Sequence, residues 1–198
     1  MTLEDKAKNY DNFKRYLLAI IGRESYAKIV EELGGEDAIM NASYATKTDT
    51  GLAYEGSLID TVLTIASYAD EINDLLPTDI QVDKRTIYKV CLLSHIAKVI
   101  MYKPNENQWA VEKFGTLYEF RDLPGSLRAG ERSTMIAMNA GVTFNPEEFE
   151  AMRFLGLRDD DEMKYYSSTL STIIKQATEL VNIVAKNRNY ENVPQQKQ

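Results

Sequence analysis

Apolar residues in the first part of the chain recur at intervals of three and four. Leu3, Ala7, Tyr10, Phe13, Leu17, Ile20 and Ile21 share one face of a helix over residues 3–21, the stripe a helix needs to meet a core. Gly22 ends it, and a second short helix over 24–33 stops at Gly34-Gly35, leaving a polar loop over 43–51. From residue 57 to 75 the apolar positions cover more than one side, which predicts a central helix ended by Pro77. Asp83 is placed to cap a further helix through TIYKVCLLSHIAKVIMY, apolar almost all round and expected to run unbroken at the core.

After Asn105-Glu106-Asn107 the pattern changes. QWAVEKFGTLYEF alternates around a turn near Lys113 to Gly115, which predicts a small β-hairpin over 108–120, closed by Pro124-Gly125. Helical spacing resumes over 127–139. Asn145-Pro146 reads as an N-cap followed by proline at the first helical position, opening a helix over 146–155. A last helix is expected from about Asp159–Asp161, whose charges suit the positive end of a helix dipole, to about Lys186. The pattern gives an all-α chain with a small β-hairpin insertion: an N-terminal helical segment (1–40), a main helical domain (41–186) and a flexible tail (187–198).

Composition narrows the function classes. The chain has 198 residues, 44% of them hydrophobic, and a net charge of −7. Capture of nucleic acid or anionic lipid over a broad face needs a basic surface, so nucleic-acid contact is confined to a local patch at most. No run reaches the ~20 apolar residues of a membrane span, and the first residues lack the basic-then-apolar order of a secretion signal. The expected location is the cytoplasm or an assembled virion.

One cysteine, Cys91, and one histidine, His95, leave little for chemistry. Neither an intramolecular disulfide nor a two-histidine zinc site can form. No glycine-rich phosphate loop is present. Cys91 lies one helical turn before His95, close enough for thiol and imidazole to touch, yet an apolar helix favours a small buried hydrophobe over an activated thiolate. His95 itself reads as a histidine packed between helices, with general acid–base work as the sharper alternative. The Asp159-Asp160-Asp161 run reads as a capping segment before it reads as an ion site. Twelve tyrosines, among them Tyr44, Tyr54, Tyr68, Tyr165 and Tyr166, suit contact surfaces and the rim of a helical core alike.

Four segments, in order, resemble the small HD-domain metal-dependent phosphohydrolases. GLAYEGSLIDTVL at 51–63 carries Ala53, Tyr54, Glu55, Gly56, Leu58, Asp60 and Leu63 of that family's pattern; CLLSHIAKV at 91–99 carries Leu92, Leu93, Ile96, Lys98 and Val99. LPGSLRAGERSTM is similar to a third segment through Leu123, Pro124, Gly125 or Gly130, Glu131 and Ser133. FNPEEFEAMRFLG is similar to a fourth through Glu147, Glu148, Ala151 and Arg153. The resemblance covers roughly residues 40–185 and implies an HD-like helical bundle.

It also implies a metal centre whose ligands are missing. The family's histidines and aspartates fall here on Gly51, Thr61, Ser94, His95, Ala129, Leu155 and Thr178, with His95 at an aspartate position. Hydroxyls, alanine and leucine cannot replace imidazole and carboxylate donors. The expectation is a pseudoenzyme without cofactor or metal, in which Asp60, Lys98, Glu131 and Arg153 survive as a polar network. Its expected role is structural, through protein partners or a homo-oligomer, as in a larger assembly such as a phage virion. The alternatives are a nucleotide- or phosphate-sensing module that binds the anion through Lys98, Arg132 and Arg153, and a divergent phosphohydrolase.

Overall fold

A computed structural model describes residues 1–154 and 167–192. Helix α1 (Leu3–Glu32) opens on a capping box: the Thr2 hydroxyl accepts the Asp5 N–H at 3.1 Å and the Asp5 carboxylate accepts the Thr2 N–H at 3.0 Å. Gly22, at φ 79° and ψ 169°, kinks the helix where the pattern called for an end, a conformation that glycine adopts without a Cβ penalty. The carbonyls freed near the kink find a donor in Arg85, whose Nη2 reaches Ala19 O at 3.2 Å and Ile20 O at 2.8 Å. Across the kink the hydroxyls of Tyr10 and Tyr26 meet at 2.6 Å, both buried. A short helix α2 (Glu36–Asn41) follows the Gly34-Gly35 stop.

Helix α3 (Ser57–Asp74) is central, packing against α1, α2 and two later helices. Asn73 closes the turn beyond it, donating to Val82 O at 2.9 Å and accepting the Val82 N–H at 2.8 Å. Asp83 caps α4 (Lys84–Leu93) by accepting the Thr86 N–H. Ile87, Val90, Leu92 and Leu93 of this helix are fully buried, each worth about 1.5–3 kcal/mol of apolar burial.

The unbroken helix expected from residue 86 to 102 is interrupted. After Leu93 the bonds tighten to i−3, with Lys98 N–H on His95 O at 3.0 Å and Val99 N–H on Ile96 O at 3.1 Å, before the single-turn α5 (Lys98–Met101). Ala97 N–H donates instead to the fully buried Ser133 Oγ at 3.0 Å. That tertiary bond satisfies the amide the ladder lost, and hydrophobic spacing carries no trace of it.

The hairpin is also displaced. Strand β1 (Tyr102–Pro104) pairs antiparallel with β2 (Tyr118–Phe120), in the register Tyr102 with Phe120 and Pro104 with Tyr118. Between them residues 108–114, expected as a strand, form helix α6 (Gln108–Phe114). Asn107 caps it by accepting the Ala110 N–H at 3.2 Å, and Gly115 closes it in the left-handed region at φ 61°. Asn before and Gly after a run of Gln, Ala, Glu and Lys is a helix signature that outweighs the apparent alternation.

Helices α7 (Ala129–Asn139) and α8 (Pro146–Phe154) stand where the pattern placed them. Asn145 and Glu148 form a reciprocal cap at 2.8 and 2.9 Å around Pro146. The last helix, α9, spans Thr169–Asn192, so it starts later than Asp159–Asp161, which lie outside the described residues, and runs past Lys186 through six of the residues assigned to a tail. Glu150 binds its first turn, accepting the Ser168 N–H at 2.8 Å, the Ser168 hydroxyl at 3.0 Å and the Ser171 hydroxyl at 2.7 Å. Asn189 near the far end donates to Thr48 O at 2.8 Å.

One hydrophobic cluster runs from Tyr10 and Phe13 of α1 through α3, α4 and α7 to Ile173 and Val181 of α9. Among the described residues no helix is long and apolar enough to cross a membrane. The chain is mostly helical with a two-stranded sheet, as the pattern required.

Candidate functional site

Two of the cavities border the expected ligand positions Gly51 and Thr61 and the expected anion-binding Lys98, while Asp60 also lines a third. The first, about 250 Å³, lies between the start of α3 and the end of α9, and is lined by Gly51, Tyr54, Asp60 and Thr61 on one side and Val181 and Ala185 on the other. Asp60 is held here by Tyr54 Oη at 2.8 Å and Asn9 Nδ2 at 3.0 Å. Thr61 is buried, and its hydroxyl has no hydrogen-bond partner among the described residues. Gly51, at φ 71°, backs onto α9 so closely that a Cβ would collide with the Ala185 carbonyl. No larger side chain, histidine included, fits there without moving the helix.

Two further ligand positions turn their hydroxyls toward backbone carbonyls three and four residues earlier. Ser94 Oγ donates to Cys91 O at 3.1 Å, and Thr178 Oγ1 donates to Ile174 O at 2.8 Å. Ala129 is the first residue of α7 and offers no donor. Leu155 lies outside the described residues. Among the described residues no three His, Cys, Asp or Glu side chains converge in a group that could hold a metal. The metal that an HD-like site would require therefore does not fit the donors these positions present.

His95 is buried against Tyr44. The two rings meet edge to face at 4.9 Å, with Tyr44 Oη 3.2 Å from His95 Nε2, while Nδ1 has no partner among the described residues. Burial, with the Lys98 charge second, holds its pKa well below the ordinary histidine value, so the ring is neutral. Cys91, one turn earlier, is fully buried, and desolvation pushes its thiol far up. A thiol held protonated is no nucleophile.

The second cavity, about 350 Å³, opens beside Lys98 and is lined by Ser43, Glu55, Tyr102, Tyr118 and Arg121 among others. Lys98 is 9% exposed. Its Nζ donates to Tyr44 O at 2.8 Å and sits 3.4 Å from the centre of the Tyr44 ring. Desolvation lowers its pKa to about 7.

Of the residues expected to form one polar network, three take different partners. Asp60 serves Tyr54 and Asn9, Lys98 serves Tyr44, and Glu131 accepts the Arg128 N–H at 2.9 Å as a cap for α7. Arg132 is buried, its Nη2 committed to Pro124 O at 2.9 Å and Gly125 O at 3.0 Å. Arg153 is exposed on α8. Lys98 and Arg132, two of the three residues grouped in the sequence as an anion site, thus have separate partners.

Tyr44 and Arg121 are the residues the sequence reading missed at this place. Tyr44 was visible only as one tyrosine among twelve, and Arg121 reaches the cavity through a strand pairing that spacing does not reveal. Compared with protein-family models, curated proteins and solved structures, the chain finds no match.

Proposed function

We propose that the protein is a non-catalytic, HD-like helical scaffold that works through protein contacts, as an oligomer or as a subunit of a larger assembly such as a virion. The observation that carries this reading is the excursion over residues 102–120. None of the residues of α6 is buried, and Trp109, Phe114 and Phe120 stand 59%, 52% and 63% exposed. Trp109 and Phe114 meet edge to face at 5.0 Å, and Lys113 lies over the Trp109 ring at 4.9 Å. Large aromatics held in fixed geometry with little apolar cover are the typical anchors of a protein interface. The positions at which a metal hydrolase would carry its ligands support the non-catalytic half of the reading, being occupied by hydroxyls, alanine and a packed neutral histidine.

Light scattering on size-exclusion fractions, paired with capture from the source cells, tests the reading. The wild type is expected to assemble with itself or to retain a partner. The double variant Trp109→Ser, Phe114→Ser is expected to lose that association with its melting temperature nearly unchanged, because the exposed rings contribute little to folding. A wild type that is strictly monomeric and retains nothing the variant does not retain contradicts it.

A further inference from the structure

The second cavity contains a charge imbalance that the fold does not resolve. An ammonium has three N–H donors, and Lys98, with 9% of its surface exposed, uses one on Tyr44 O. The Tyr44 ring faces it from another side, and no carboxylate among the described residues pairs with it. The groups facing Lys98 across the helices and loops are the neutral His95, the phenols Tyr44, Tyr102 and Tyr118, the Glu55 carboxylate and the Arg121 guanidinium. Glu55 is the one acid in this wall, and Lys6 already holds it at 2.9 Å. Arg121 donates Nε to Tyr102 O at 3.2 Å and has no acidic partner among the described residues either. Two cations without a counterion among the described residues thus border an open volume of about 350 Å³, within the roughly 300–1,000 Å³ of ligand pockets.

We propose that this cavity binds a small oxyanion, a phosphate or carboxylate group, held between Lys98 and Arg121. Burying a charge without a partner is costly, and an oxyanion would accept the donors that Lys98 leaves unused while meeting the planar guanidinium fork of Arg121. The site shares no lining residue with the Asp60–Thr61 cavity. It also rests on residues other than the exposed aromatics, so its failure would leave the docking reading intact.

The test is calorimetric titration of the full chain near pH 6 in low-salt buffer, with inorganic phosphate in one arm and acetate in the other. Binding in at least one arm is expected, and the stronger arm identifies the group. Lys98→Met and Arg121→Gln are each expected to weaken it by about tenfold or more. Arg121 is exposed, so its variant tests the site without disturbing the core. No binding of either anion to the wild type overturns the proposal, as does binding that survives unchanged in either variant.

Discussion

In anion-free buffer, Lys98→Met is expected to be more stable than the wild type at pH 6, and to lose most of that advantage by pH 10. Burial sets the pKa of Lys98 at about 7 in the folded chain, against 10.5 when solvated. Between those values the unfolded chain holds a proton that the folded chain does not, so wild-type stability rises with pH by about 1.4 kcal/mol per unit. Below pH 7 both states are protonated and the full penalty remains, on the order of 5 kcal/mol. Methionine keeps the apolar stem and removes the charge, but leaves Tyr44 O without its donor, so the net gain at pH 6 is about 2–4 kcal/mol. Urea denaturation of both proteins at the two pH values reads this directly. A stability difference that does not change with pH would contradict the assignment. His95, also depressed, adds to acid sensitivity below pH 6.5 in both proteins. The raised pKa values of Tyr10 and Tyr44 work the other way, destabilising both proteins above pH 10, where the unfolded phenols ionise first.

Glu148→Ala is expected to cost about 3–5 kcal/mol. The carboxylate is buried and accepts Lys89 Nζ on both oxygens, at 2.7 and 2.9 Å, while also receiving the Asn145 N–H. Lys89 in turn donates to Thr143 O and lies 4.9 Å from the centre of the Phe144 ring. Removing Glu148 strands a largely buried ammonium and breaks the cap of α8 in one step. Glu148→Gln, which can keep the cap acceptor, should lose less. A loss under about 1 kcal/mol for the alanine variant in urea denaturation would show that Lys89 escapes to solvent.

Local signals carried much of this fold. The kink at Gly22, the Asp83 cap and the Asn145-Pro146 start of α8 each depend on neighbouring residues with one strong preference, and the structure has all three. Failures came where distant partners decide. Periodicity reads 86–102 as continuous helix because apolar residues recur throughout it, while the break after Leu93 is satisfied by Ser133, far along the chain. The strand partner of residues 118–120 is 102–104, the end of that same apolar run. Asp60, Lys98 and Glu131 take different partners for a related reason: matching residues to a family pattern gives their order along the chain but not their hydrogen-bond partners. Glu131 became a cap, and Lys98 turned to the Tyr44 carbonyl.

Metal content tests the central claim most directly. The protein is expressed with iron, manganese and zinc supplied, purified without chelator, and assayed by elemental mass spectrometry alongside its melting temperature. Far less than one ion per chain is expected, with no rise in melting temperature when metal is added. One transition-metal ion per chain that survives dialysis, and whose removal by chelator lowers the melting temperature, would contradict it.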